Sequence, residues 1–376
     1  MLFTSILLSA CTLSSPFGTQ CLSDQNCGCA NCCISHRCAM LGPNVTNEDA
    51  GVDAGTPSWR VTTYLDVDAG LAAPTGLAID SADNLYISDT NNNCIRKVTA
   101  AGVLSTVVCG LNGPSGLAVA PNGDLYIADT GNHCVKVVRA GSSTAAVFSG
   151  TCSTNAMACA DFPTPMFGFP SGLALGGTTL LVTDLTHNGV RWVSTADGLG
   201  GTLAGKGPGT VGHSDGSCSF GTTCGSQSPV TFNGPFAITA ADDTTFFIAD
   251  SRNCALRKLT ASPGCSVLTV GPRDCPSLIP EQNMSQLLYP TGVAVARDWA
   301  SSGVVYATDR GNHRVAAIDG EGRLTNVAGN GAKGYADGVG LDAAFDDPDG
   351  IVVDSRGRLF VADSANHRIR MVVRAP

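Results

Sequence analysis

Leu125-Tyr126-Ile127-Ala128-Asp129-Thr130-Gly131-Asn132-His133-Cys134-Val135-Lys136-Val137-Val138 is the stretch whose reading decides the fold. It begins as a short apolar run, passes through a polar Asp-Thr-Gly-Asn-His segment, and ends in alternating polar and apolar residues, the period of a half-exposed strand. Upstream, Gly116-Leu117-Ala118-Val119 reads as an inner strand buried on both faces. Pro121-Asn122-Gly123-Asp124 between the two makes a tight turn, because Asn and Gly tolerate positive φ. Downstream, Ala145 to Phe148 supplies a fourth strand and completes an antiparallel meander.

This unit recurs. Copies begin at Pro74, Pro114, Pro170, Pro235, Pro290 and Pro348, and their second strands end at Asp89, Asp129, Asp184, Asp250, Asp309 and Asp363. The Pro-to-Asp offset is fifteen in four copies, fourteen in the third and nineteen in the fifth. Four-stranded units repeated around an axis make a propeller. The last copy lacks a fourth strand, whereas Trp59-Arg60-Val61-Thr62-Thr63-Tyr64-Leu65 precedes the first copy and has the pattern of one. The expected architecture is therefore all-β, a six-bladed β-propeller whose last blade is completed by an N-terminal strand, which leaves no open sheet edge to aggregate.

Asn84 to Thr90, Asp124 to His133 and Arg358 to Arg370 resemble the NHL repeat, with the Asn-His-Leu tripeptide varied to Asn-His-Cys and Asn-His-Arg. Val327-Ala328-Gly329 followed by Ala336-Asp337-Gly338 and Phe345-x-x-Pro348 resembles the extended form of that repeat. The third and fourth copies depart from it, with His187-Asn188 in reversed order and Phe236-Ala237 in place of the x-Gly pair. The resemblance implies a propeller and leaves function open, since such propellers include scaffolds, ligand binders and some enzymes.

The chain has 376 residues, 45 Gly, 19 Pro, 14% charged residues and a net charge of −9. An acidic surface repels phosphate backbones, so nucleic acid is not an expected partner. Seventeen cysteines suit an oxidising compartment. Leu2 to Leu8 followed by Leu8-Ser9-Ala10-Cys11 resembles a bacterial lipobox, which would make Cys11 a lipidation site; the other reading is an ordinary signal peptide, as no Lys or Arg precedes the apolar run. The expected organisation is a signal segment over 1–20, a cysteine-rich segment over 21–41, a flexible linker over 42–57 and the propeller over 58–376. The product would be a lipid-anchored or secreted monomer.

The six repeat aspartates, four of them followed by Thr/Ser-x-Asn, are expected to cap their own loops, a structural role and not a metal ring. His133, His313 and His367 share one repeat position, His187 lies one residue away, and His213 aligns with Tyr335, so no isolated metal or catalytic set stands out, and no cofactor is expected. Cys94 and Cys109 face each other across a hairpin and are expected to bridge; Cys134 with Cys152 and Cys218 with Cys224 are further expected pairs, leaving Cys159, Cys254, Cys265 and Cys275 as candidates for one another. Long connectors between blades share a face with the Asn-His loops, and the opposite face is expected to hold only tight turns. The elaborated face would bind a protein or glycan, with Arg252, Arg310, Arg314, His133 and His313 on it. The alternative is an extracytoplasmic metal-dependent lyase or hydrolase working in the central channel.

Overall fold

The computed structural model describes residues 31–34, 37–40, 58–152, 165–219, 228–261, 264–272 and 284–375. The chain divides into two units, Met1–Thr56 and Pro57–Pro376. In the first, Asn31–Ile34 pairs antiparallel with Arg37–Met40. Cys11 and Cys224, and Cys159 and Cys275, lie outside the described residues.

The second unit is a six-bladed propeller. Each blade starts at the axis with the Pro-led strand, for example Pro74–Ile79, and runs outward through three antiparallel neighbours, here Leu85–Asp89, Cys94–Val98 and Leu104–Cys109. Period-two alternation places one side-chain set between this blade and the last, and the other set between this blade and the next. The buried residues accordingly sort into six clusters, one per gap between blades. The cluster closing the ring packs Leu77, Leu85 and Ile87 of blade one against Phe360, Ala362 and Ile369 of blade six. Blade six takes its outer strand from the start of the propeller: Trp59–Leu65 pairs antiparallel with Arg368–Arg374, from Leu65 opposite Ile369 to Trp59 opposite Arg374.

The Pro-x-Gly signature has a steric cause. A Cβ at Gly76 would lie 1.8 Å from the Ser115 carbonyl oxygen, and one at Gly350 would lie 2.2 Å from that of Thr75. Inner strands of successive blades approach backbone to backbone around the axis, and glycine leaves the room in five blades, with Ala237 at the position in blade four.

Two connectors depart from the expected arrangement. Gly216–Ser217 pairs with Ser266–Val270 and Gly338–Val339 with Trp59–Leu65, so each connector runs to the outer edge of the next blade and covers it before returning to the axis. They are not simply elaborations of the loop-rich face. The opposite face is not all tight turns either: a short helix, Trp299–Ser302, fills the turn between the first two strands of blade five and accounts for its nineteen-residue offset. Among the described residues no helix is long and apolar enough to cross a membrane.

Cys94 is bridged to Cys109 and Cys134 to Cys152, with Cα separations of 4.0 and 4.9 Å. Cys218 is bridged to Cys265, 47 residues on, and not to Cys224. The added edge strand explains the difference. It carries Cys218 alongside the fourth strand of blade four, where its backbone N–H donates to the Cys265 carbonyl at 3.0 Å. Cys265 is thereby removed from the set pairing among itself; Cys254 is also bridged. Loop-closure entropy grows with span, so removing this bridge should cost about 4 kcal/mol against about 3 for the 15-residue span of Cys94–Cys109. Urea unfolding of the two Cys→Ser double variants would measure the order, and a smaller loss for Cys218→Ser/Cys265→Ser would contradict it.

Candidate functional site

The six repeat aspartates are wholly buried, and their chemistry is consumed by the fold. They do not cap their own loops in the five blades where a 3-10 turn follows. Those turns close by themselves, through a left-handed residue (Asn93, His133, Cys254, His313 or His367) whose N–H returns to the turn's first carbonyl. The carboxylates instead accept backbone N–H groups of the incoming connector, those of Ala72, Asn112, Gly168, Phe169, Asn233, Leu288 and Asp346, at 2.7–3.0 Å. A basic side chain then completes each: Arg96, Lys136, Arg257, Arg314 and Arg370 in five blades, and the His187 imidazole in blade three, at 2.6–2.9 Å. Burial without such partners would cost several kcal/mol per charge. In blade three, the imidazole of His187 and the Arg191 charge outweigh burial and hold the Asp184 carboxyl below its usual range.

Arg314 is therefore misplaced as a surface donor. It is fully buried, pairs with Asp309 at 2.7 Å and donates to the carbonyls of Met284 and Gln286. Arg252 is exposed on the loop-rich side, its stem beside Gly234. His133 has its Nδ1 on the Gly168 carbonyl and its ring edge-to-face with Phe169 at 5.1 Å. His313 accepts the Asp347 N–H at 3.3 Å. Arg310 spans two carboxylates, Asp347 at 3.0 Å and Asp349 at 2.9 Å.

The axial channel is a cavity of about 410 Å³ walled by the six inner strands, with its mouth at their proline ends; none of these five side chains is among the residues that line it. The second residue of each inner strand sits at that mouth. It is Thr75, Ser115, Ser171 and Thr291 in four blades, hydroxyls engaged with neighbours such as Thr90 at 2.6 Å and Thr183 at 3.0 Å. In blade four it is Phe236, and in blade six Asp349. Asp349 is 2% exposed, and burial pushes its carboxyl above the usual range despite Arg310 and the hydroxyls of Ser364 and Thr291. Burial pulls the Arg310 guanidinium down, but Asp349 and Asp347 together outweigh it and raise it.

Two positions earlier, immediately before the proline, stand Ala73, Gly113, Phe169, Gly234, Tyr289 and Asp347. Phe169 and Tyr289 are 37% and 45% exposed there. Ala73, Tyr289 and Asp347 hold φ near +50°, a strained conformation for non-glycine residues. Tyr289, Phe169, Asp347 and Asp349 escaped the sequence reading. Their signal lay in departures from the repeat, Asp for Ser/Thr and aromatic for small.

The ligand atoms of His313, Asp346 and Asp347 lie within 4.8 Å of one another. Lys333 sits 3.2 Å from Asp346 and Arg310 3.0 Å from Asp347, so a metal ion would have to compete with two resident cations.

The NHL repeat family model matches residues 71–98, 111–138 and 345–370. The chloroplastic protein SUPPRESSOR OF QUENCHING 1 of Arabidopsis thaliana is 33% identical over 135 residues, and NHL repeat-containing protein 2 of Bos taurus 28% over 137; each match covers 34% of this chain. The chain spans only 12% and 18% of the length of those relatives. Among solved structures, an auxiliary nutrient binding protein of Bacteroides thetaiotaomicron superposes with a TM-score of 0.62 at 16% identity, covering 85% of this chain and 77% of that one. A gluconolactonase of Xanthomonas campestris gives 0.57 at 13%, covering 84% and 94%. The virginiamycin B lyase of Staphylococcus aureus gives 0.52 at 12%, covering 84% and 99%. At such identities the likeness is one of fold.

Proposed function

We propose that this chain, an NHL-repeat six-bladed propeller, works outside the cytoplasm as a binding scaffold that holds a glycan at the loop-rich mouth of its channel. The observation that carries the reading is the pair of exposed aromatics, Phe169 and Tyr289, at one register position on the rim that Arg310, Asp347 and His313 share. Aromatic faces backed by a few fixed polar groups suit ligands with one apolar and one hydroxylated side. Loops on a rigid scaffold are where such folds place recognition.

The disulfides support an oxidising compartment. Attachment through a lipid on Cys11, with 21–41 and 42–57 as spacer, completes the proposal. Cys11→Ser should shift the chain from the membrane to the soluble fraction of its native cells, and unchanged fractionation would sink the anchor.

Glycan-array screening of the purified propeller should find a ligand whose affinity falls about tenfold or more in Phe169→Ala/Tyr289→Ala, the loss expected of central aromatic contacts. Binding of a protein alone, or glycan binding indifferent to both aromatics, would refute it. The carboxyl of Asp349, which burial pushes above its usual range beside Arg310, favours a second reading, a lyase or hydrolase at the same mouth. Mass spectrometry of the recovered glycans discriminates: cleaved products abolished by Asp349→Asn would establish the enzyme.

A further inference from the structure

The face opposite the loop-rich mouth carries a second recess, of about 400 Å³, at the junction of blades five and six. Its lining includes Arg297, Arg356, Arg358 and Arg374, with Tyr306 and the single carboxylate Asp298. Four guanidiniums around one hollow are unusual on a chain of net charge −9. Each comes from a turn or strand end of the tight-turn face. Arg297 follows the first strand of blade five, Arg356 and Arg358 occupy the first turn of blade six, and Arg374 ends its third strand.

Two of the four are engaged by the fold. Arg358 pairs with Asp354 through Nε at 2.6 Å, and Arg374 stacks on Trp59 at 5.3 Å. The other two, Arg297 and Arg356, are exposed and form no salt bridge among the described residues. Asp298, Asp354 and Asp83, which also feels the Arg356 and Arg358 charges, offset part of the charge, so a net excess of one positive charge remains, four arginines against three aspartates. Like charges held together favour an anion between them, and guanidinium forks match the tetrahedral oxygens of phosphate and sulfate.

We propose that this recess binds a compact multivalent oxyanion, a phosphate or sulfate group carried on a small molecule. Its size exceeds that of a bare ion and falls within the range of small-molecule sites. The site is independent of the glycan reading, because it lies on the other face and shares no residue with it. Occupancy would bridge Arg297 of blade five to the arginines of blade six and so tighten the sheet that closes the ring.

The test is calorimetric titration of the purified propeller with inorganic sulfate, inorganic phosphate, glucose 6-sulfate and glucose 6-phosphate, against sodium chloride at matched ionic strength. The expected result is saturable one-to-one binding, a midpoint of thermal unfolding that rises with occupancy, and a loss of about tenfold or more in Arg297→Gln/Arg356→Gln, as charge-assisted hydrogen bonds warrant. Lys206→Gln, an exposed cation in the connector before blade four, should bind as the parent does. Tighter binding of the esters identifies a carried group, and equal binding identifies the free ion. Responses that track ionic strength alone, or a double variant that melts like the parent and binds equally well, would overturn the proposal.

Discussion

Asp363→Ala should lower the unfolding free energy by about 3–5 kcal/mol, the cost of leaving a buried guanidinium without its main counter-charge. Asp363 and Arg370 are both fully buried and meet at 2.7 Å. Arg370 also donates to the carbonyls of Ala344 and Ala336 and to Asp337, whose other oxygen accepts the Thr63 N–H at 3.0 Å. One guanidinium thus links the middle of blade six, the connector entering it and the strand that completes it. Asp363 itself accepts the Asp346 N–H at 2.8 Å, so the variant also orphans a buried donor. Arg370→Met should be similarly damaging, and the double variant should cost less than the two single losses combined. Additive losses in urea unfolding would show that the pair does not act as a unit.

Deleting residues 58–66 should be the more severe change. It removes the outer strand of blade six, strips Tyr64 and Leu65 from the cluster at the closing junction and Val61 from the neighbouring one, and exposes the whole hydrogen-bonding edge of Arg368–Arg374. The edge of a long strand left bare templates association. The truncated chain should lose cooperative unfolding and elute as aggregate in size-exclusion chromatography. A synthetic peptide of residues 58–66 supplied in excess should restore part of the monomer. A truncated chain that stays monomeric and melts as the parent does would contradict the closure by this strand.

The architecture was legible because its cause is periodic. Every Pro-x-Gly marks an axial close approach and every Asp a connector tether, so each feature recurs at a near-constant offset. The role of the aspartates was only half legible. Their burial follows from the repeat, but the partners are backbone N–H groups of a connector that no local motif predicts. Arg314 shows the same limit. In all five other blades a basic residue stands seven positions beyond the Asp, whereas in blade five that place is Ala316 and the arginine stands two residues earlier. Side chains two apart in a strand share a face, so either position reaches the carboxylate. Cys218 found Cys265 because a connector added a strand that the four-strand template does not contain. At the candidate site the informative residues were those that broke the pattern, Asp349, Tyr289 and Phe169.

Closure by Trp59–Leu65 also dictates the order in which the molecule can be assembled. The first strand of the propeller finds its partner last: Leu65 must wait for Ile369, whereas the bridges Cys94–Cys109, Cys134–Cys152 and Cys218–Cys265 span 15, 18 and 47 residues. Individual blades can be formed and covalently stapled while the circle is still open. The slow event is the meeting of the two ends of a long chain, whose entropic cost grows with its span. The ring cannot lock until Trp59–Leu65 and Arg368–Arg374 are both free to pair.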